Sequence, residues 1–182
     1  MNVPNILTTI RFLFIPIFIG IFYSSIENNI LYATYIFILA GITDVLDGYI
    51  ARKYNMVTKW GTVLDPLADK LMQITVLVCF TDKKYLPLWV ITVIGIKEIL
   101  MILGGLFLYY FVDKTVIPAN KYGKIATVSF YIAILSIVFK INKLISYLLV
   151  LAAVILTLIA FINYLIGFRK INRMNKEKSI DK

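Results

Sequence analysis

The chain has 182 residues, 60% of them hydrophobic and only 16% charged, far from the roughly 45 to 50% apolar and about 25% charged of soluble domains, so it reads as an all-α integral membrane protein. It contains no His and a single Cys, which excludes His-based acid–base chemistry, His metal ligation, Ser-His-Asp or Cys-His nucleophiles, zinc clusters and intrachain disulfides. A net charge of +9 on so apolar a chain points to membrane topology and anionic headgroups, and no nucleic-acid partner is expected.

The opening stretch is irregular. Pro4 and Asn5 begin it, Arg11 interrupts it and Pro16 would kink a helix there, so the first ten or so residues are expected to form a short interfacial amphipathic segment turning into the first span. It lacks a basic n-region and a clear cleavage site, so it is expected to remain as a span. A spanning helix needs about 20 mostly apolar residues. By that measure the polar breaks delimit six transmembrane helices at 6–23, 30–51, 62–80, 86–112, 122–139 and 144–168. The connections are too short for another domain, so a single membrane domain over 1–182 is expected. Residues 169–182 form its basic tail, suited to anchoring and to anionic lipid.

Along these spans, Cys79 sits in an apolar run as a packing residue, and Gly95, Gly104 and Gly105 permit close helix approach. Trp60, Tyr85 and Trp89 suit interfacial anchoring. Six spans put both termini on one side. That side, with the second and fourth connections, collects most of the Lys and Arg, leaving the other with Lys83, Lys84, Lys140 and Lys143. Both termini are therefore expected to be cytoplasmic in a multi-pass protein of the cell membrane.

The acids are the telling residues. Of ten, Asp44, Asp47, Asp65 and Asp69 lie at the cytoplasmic ends of the second and third spans, where each carboxylate costs about 2.5 to 3.5 kcal/mol to insert. Asp44 and Asp47 are three apart and Asp65 and Asp69 four apart, so each pair projects from one helix face, and the short connection makes the helices antiparallel neighbours. Four converging carboxylates repel and would protonate unless neutralised. Two hard divalent cations, Mg²⁺ or Mn²⁺, match their charge and their oxygen donors.

Gly48, Ala51 and Gly61 each lie one turn from one of these aspartates, leaving bare backbone on which a flat group can lie. Arg52 adds a planar donor fork suited to phosphate. Together these features describe a nucleotide-diphosphate site. A carboxylate-lined ion or proton pathway is the reading of another class, but it has no use for Arg52 or the small-residue platform.

The segment TDVLDGYIARKYNMVTKWGTVLDPLADK, from Thr43 to Lys70, contains D-x2-D-G-x2-A-R-x8-G-x3-D-x3-D. It resembles the signature of the CDP-alcohol phosphatidyltransferases, with every defining position present. The resemblance implies a six-helix domain, usually a homodimer, that moves a phosphatidyl group from a CDP-lipid such as CDP-diacylglycerol to an alcohol and releases CMP. By position it implies Asp44, Asp47 and Asp65 as metal ligands, Asp69 as both metal-facing residue and general base, and Gly48, Ala51, Arg52 and Gly61 as the CDP-lipid site.

The opening Val3-Pro4-Asn5-Ile6-Leu7-Thr8-Thr9-Ile10-Arg11 is similar to the start of the bacterial phosphatidylglycerophosphate synthases within that family. That implies sn-glycerol 3-phosphate as acceptor, with Asn5, Thr8, Arg11, Lys97, Lys121 and Lys124 as candidate acceptor-binding residues. Where those synthases commonly show Arg-Glu and G-K-x-K-T, this chain has Lys97-Glu98 and Gly123-Lys124-Ile125-Ala126-Thr127. The second variant also resembles the cardiolipin synthases of the CDP-alcohol type, whose acceptor is phosphatidylglycerol.

Overall fold

The computed structural model describes residues 3–54, 59–111 and 121–180. They form six helices: α1 (Val3–Phe22), α2 (Asn29–Lys53), α3 (Lys59–Asp82), α4 (Leu88–Phe111), α5 (Lys121–Val138) and α6 (Lys143–Ile180). Among them, α2 over Asn29–Ala51, α5, and α6 over Lys143–Arg169 are long and apolar enough to cross a membrane. Large apolar side chains such as Val45, Leu103, Val128 and Ile166 point outward, while Thr8, Arg11, Asp47 and Gln73 are buried. Polar groups inside and hydrocarbon outside is the arrangement of a protein whose solvent is lipid.

Two ends of the helical pattern extend past the spans that hydropathy delimits. Where an interfacial entry was expected to turn into the first span, α1 runs unbroken from Val3 to Phe22 with Pro16 inside it. The proline forfeits one backbone hydrogen bond, and packing of α1 against both α2 and α3 holds the axis through that position. The tail expected from Arg169 onward continues α6 as helix to Ile180. After Gly167 that stretch contains neither Gly nor Pro and is rich in Lys, Arg and other good helix formers.

The chain divides into two compact units, Met1–Ile91 and Thr92–Lys182. In the first, α1 packs on α2 and α3, and α2 touches α3. Its interior starts aromatic: Phe18 stacks on Phe22 with ring centroids 5.5 Å apart, and Phe22 meets Phe80 at 5.3 Å. Ala33, Phe37 and Ala40 on α2 and Met72, Val76 and Leu77 on α3 complete it. Followed toward the start of α1, the same buried stripes turn polar, through Thr8 and Arg11 on α1 and Asp47 on α2. Helical periodicity puts these residues in register with the apolar ones, so the candidate site is the continuation of the core.

In the second unit α5 lays Ala126, Phe130, Ala133 and Ile134 against α6, whose buried face includes Val150, Ala153, Val154 and Ala160. Small residues let the two backbones approach. Gly104 of α4 faces Tyr164 of α6, whose hydroxyl would stand 3.0 Å from a Cβ added at that glycine. That hydroxyl donates to the carbonyl of Met101 at 3.3 Å. Cys79 is buried and unoxidised in the first unit, as a packing residue should be.

The turns are built by local chemistry. Asn29 closes the α1–α2 connection by donating to the carbonyls of Phe22 and Ser24, each at 2.8 Å. Asn142 caps α6 by accepting from the backbone N–H of Leu144 at 2.8 Å. Helices α3 and α5 end in the same way, with Lys84 and Lys140 in the left-handed region at φ 60° and 49°. In each, the next residue's N–H reaches back five positions: Tyr85 to Phe80 at 2.8 Å and Ile141 to Ser136 at 3.3 Å. A lysine in that conformation costs about 1 to 2 kcal/mol that glycine does not incur, against roughly 0.5 to 1 kcal/mol of extra chain entropy for glycine. Lys84→Gly and Lys140→Gly should each raise stability, by about 0.5 to 1 kcal/mol, read as a higher thermal midpoint in detergent; a lower midpoint contradicts this account of the turns.

Candidate active site

The polar end of the first unit is organised around one guanidinium. Arg11, 1% exposed, presents Nη1 to Asp44 Oδ1 at 2.9 Å and Nη2 to Asp47 Oδ2. The same Nη1 donates to the main-chain carbonyl of Asp65 at 3.2 Å. One turn earlier on α1, the Thr8 hydroxyl donates to Asp65 Oδ1. Three helices are thereby tied together by two α1 side chains three positions apart, which share a helix face.

The four aspartates do not stand in equal surroundings. Asp47 is 2% exposed and Asp44 40%, so the pair runs from the interior to the rim. Asp69 lies one turn after Asp65 on α3 and accepts from Gln73 Nε2, at 3.3 Å to Oδ2 and 3.5 Å to Oδ1. Gln73 is itself buried, and its amide sits one turn farther along the same helix. Gly61 is buried, and Gly48 and Ala51 are half-buried beside the aspartates of α2.

The remaining expected residues fall as follows. The side chains of Asn5 and Arg52 lie outside the described residues, although both positions are helical. Lys97 and Glu98 are both buried and form an ion pair with each other. Lys121 and Lys124 are exposed on the first turn of α5. These three lysines belong to the second unit. Sequence reasoning placed Arg11 with the acceptor and did not foresee its engagement with the aspartates, nor did it single out Gln73.

The donors suit a hard cation in kind, since carboxylate oxygens are what Mg²⁺ and Mn²⁺ take. Their present disposition serves the guanidinium, and among the described residues no three carboxylates form a group that could hold a metal ion. The first unit thus holds carboxylates of the right chemistry, of which Asp44 and Asp47 are bound to a side-chain cation.

The family model for CDP-alcohol phosphatidyltransferase matches residues 1–159. The chain belongs to that family. Its similarity to curated relatives runs nearly end to end. It is 33% identical over 171 residues to the CDP-diacylglycerol-glycerol-3-phosphate 3-phosphatidyltransferase of Haemophilus influenzae, covering 90% of this chain and 91% of that one. The Rickettsia typhi protein of the same name is 35% identical over 171 residues, covering 92% and 93%. That of Aquifex aeolicus is 32% identical over 182 residues, covering 94% and 98%. CDP-alcohol phosphatidyltransferases are generally dependent on divalent cations. Membership makes this chain a phosphatidyltransferase and sets aside an ion or proton pathway.

The Thr8 contact has a measurable consequence in this phosphatidyltransferase. Thr8→Val keeps the shape of the side chain and removes the hydroxyl from a carboxylate that is itself only half-exposed, at a cost of about 1 to 3 kcal/mol. Thr8→Ser should retain most of the stability. Thermal unfolding in detergent that fails to separate the two variants would show that the hydroxyl does not hold Asp65.

Proposed function

We propose that this enzyme transfers the phosphatidyl group of CDP-diacylglycerol to sn-glycerol 3-phosphate, giving phosphatidylglycerophosphate and CMP. The observation that carries the reading is the end-to-end likeness to relatives whose names state that reaction. The opening residues from Val3 to Arg11 and the complete aspartate signature support it.

In the reaction the acceptor's hydroxyl oxygen attacks the phosphatidyl phosphorus, the bridging P–O bond of the diphosphate breaks, and CMP leaves. Asp44, Asp47, Asp65 and Asp69 would hold two divalent cations, Mg²⁺ or Mn²⁺. Such ions, when bound, neutralise charge on the diphosphate and acidify the attacking hydroxyl. Asp69 takes the hydroxyl's proton, and Gln73, bonded to both of its oxygens, fixes the carboxylate's orientation. Gly48, Ala51 and Gly61 let the cytidine and diphosphate lie against backbone, with Arg52 as the phosphate donor fork. The acyl tails remain in hydrocarbon while the diphosphate meets the carboxylates at the interface.

Lys121 and Lys124, exposed on α5, are the cations we assign to the acceptor's phosphate, with Asn5 in support. Lys97, paired with Glu98, has the lesser claim to the acceptor. We place the whole of 1–182 in one multi-pass domain of the cell membrane, with both termini and the site cytoplasmic, acting as a homodimer. The basic end of α6 contacts anionic lipid. The second acceptor, phosphatidylglycerol, was suggested by Ala126 standing where related synthases carry a cation, and Ala126 is buried on the α5 face toward α6.

Each of Asp44→Asn, Asp47→Asn, Asp65→Asn and Asp69→Asn should reduce CMP release by at least about a thousandfold in folded protein. EDTA should stop the reaction, and Mg²⁺ or Mn²⁺ should restore it. Turnover that survives chelation refutes the role given to divalent cations. Supplied separately with CDP-diacylglycerol, glycerol 3-phosphate should yield phosphatidylglycerophosphate, whereas cardiolipin formed from phosphatidylglycerol would reassign the acceptor. Lys121→Ala and Lys124→Ala should raise the KM for glycerol 3-phosphate about tenfold or more while leaving that for the CDP-lipid nearly unchanged. Equal effects on both substrates would remove these lysines from the acceptor site.

A further inference from the structure

Arg11 is buried to 1% exposure, and a guanidinium at that depth is retained only when its charge is met. It is met by the inner oxygens of Asp44 and Asp47 and by the carbonyl of Asp65. These are two of the carboxylates assigned above to divalent cations. A cation with metal–oxygen distances of about 2.0 to 2.1 Å to both would occupy the space the two Nη atoms now fill. Two positive groups on the same oxygens repel at contact distance, so each weakens the hold of the other.

We propose that Arg11 is an internal, displaceable counter-ion of the aspartate cluster, and that divalent cations load by exchanging with its guanidinium on Asp44 and Asp47. The inference rests on the reading of those aspartates as metal ligands. Three features of the geometry make the guanidinium a place-holder. It spans the mouth of the pair through two separate nitrogens, keeping both carboxylates turned to one point; a single-point cation would not do so. Its Nε is buried without a hydrogen-bond partner among the described residues, so its seat is good but incomplete. Its one positive charge meets three aspartates, Asp44, Asp47 and Asp65, with Lys70 acting on Asp44 as well, so the guanidinium by itself does not neutralise the set.

Exchange of this kind discriminates by charge. A monovalent ion replacing a guanidinium gains nothing electrostatically and forfeits its hydrogen bonds, whereas a divalent ion doubles the charge at the same oxygens. Arg11 thereby keeps the buried carboxylates from repelling each other before loading and sets a threshold that Na⁺ and K⁺ do not pass. The loading step is a swing of the Arg11 side chain about its own torsions toward the part-exposed rim beside Asp44, where its displaced charge meets solvent, with α1 staying in place.

The test is Mn²⁺ binding to the purified full-length protein in detergent, followed by titration, alongside thermal unfolding in EDTA and in Mn²⁺. Arg11→Met keeps the length of the side chain and removes the charge; Arg11→Lys keeps the charge without the planar fork. Arg11→Met should bind Mn²⁺ about tenfold more tightly than the wild type, melt lower in EDTA, and gain more in melting temperature on adding Mn²⁺. Arg11→Lys should fall between the two, and it serves as the readout if the Met variant does not fold. Unchanged or weaker Mn²⁺ binding in folded variants, with wild-type binding intact, overturns the exchange. Failure of the wild type itself to bind Mn²⁺, or binding indifferent to Asp47→Asn, instead defeats the assignment of the aspartates, so the two failures are told apart.

Discussion

A buried positive charge facing buried negative ones is the constraint on which the first unit depends. Neither Arg11 nor Asp47 would remain inside this apolar protein alone, because removing one partner strands an uncompensated charge at a cost of about 3 to 5 kcal/mol. Paired, they fix the rotation of α1 and α2 about their axes. Arg11 must face the α2 stripe that carries Asp44 and Asp47, and the apolar residues in register, Phe18 and Phe22, then face the interior with it. The polar pair therefore selects one docking of otherwise featureless hydrocarbon surfaces. Lipid-exposed helices need such a device, since lipid is as good a solvent for Leu and Ile as another helix is.

The same constraint shapes the chemistry. Carboxylates gathered for catalysis are unstable neighbours, and a protein must hold them together until their ligand arrives. Thr8 and Arg11 do so with one neutral donor and one charged donor from a single helix face. They leave Asp44 partly exposed at the rim. Asp69 accepts from the amide of Gln73 on its own helix.

Much of this was legible in the sequence because it is local. Hydropathy delimits the helices to within a few residues, and spacings of three and four put the aspartates on common faces before any packing is known. The signature from Asp44 to Asp69 carried the family. The partner of the aspartates was not legible, because it comes from another helix and the pairing of helices leaves no periodic mark on the chain. A signal existed all the same. Arg11 is a cation inside an apolar segment, three residues after Thr8 and in phase with Phe18 and Phe22, and such a residue demands an acid within reach. At Lys97 the neighbour Glu98 supplies that acid in the next position, whereas at Arg11 it lies more than thirty residues away. The extension of α6 escaped for the opposite reason, since polarity marks the end of a span but not the end of a helix. Lys, Arg and Glu continue the hydrogen-bonded backbone into water without penalty.

The small residues of the signature follow from the same economy of space. Gly61 is buried one turn before Asp65, and Gly48 lies half-buried one turn after Asp44. In the proposed reaction, a diphosphate would reach the carboxylates past these two positions. Bulk at these positions therefore obstructs the approach of substrate, whereas a change at Arg11 acts on the carboxylates themselves. The first leaves the cluster intact and unreachable; the second leaves it reachable and without its internal cation. The site thus has two separable requirements, an assembled set of oxygens and a clear backbone path to it, and α1 answers only the first.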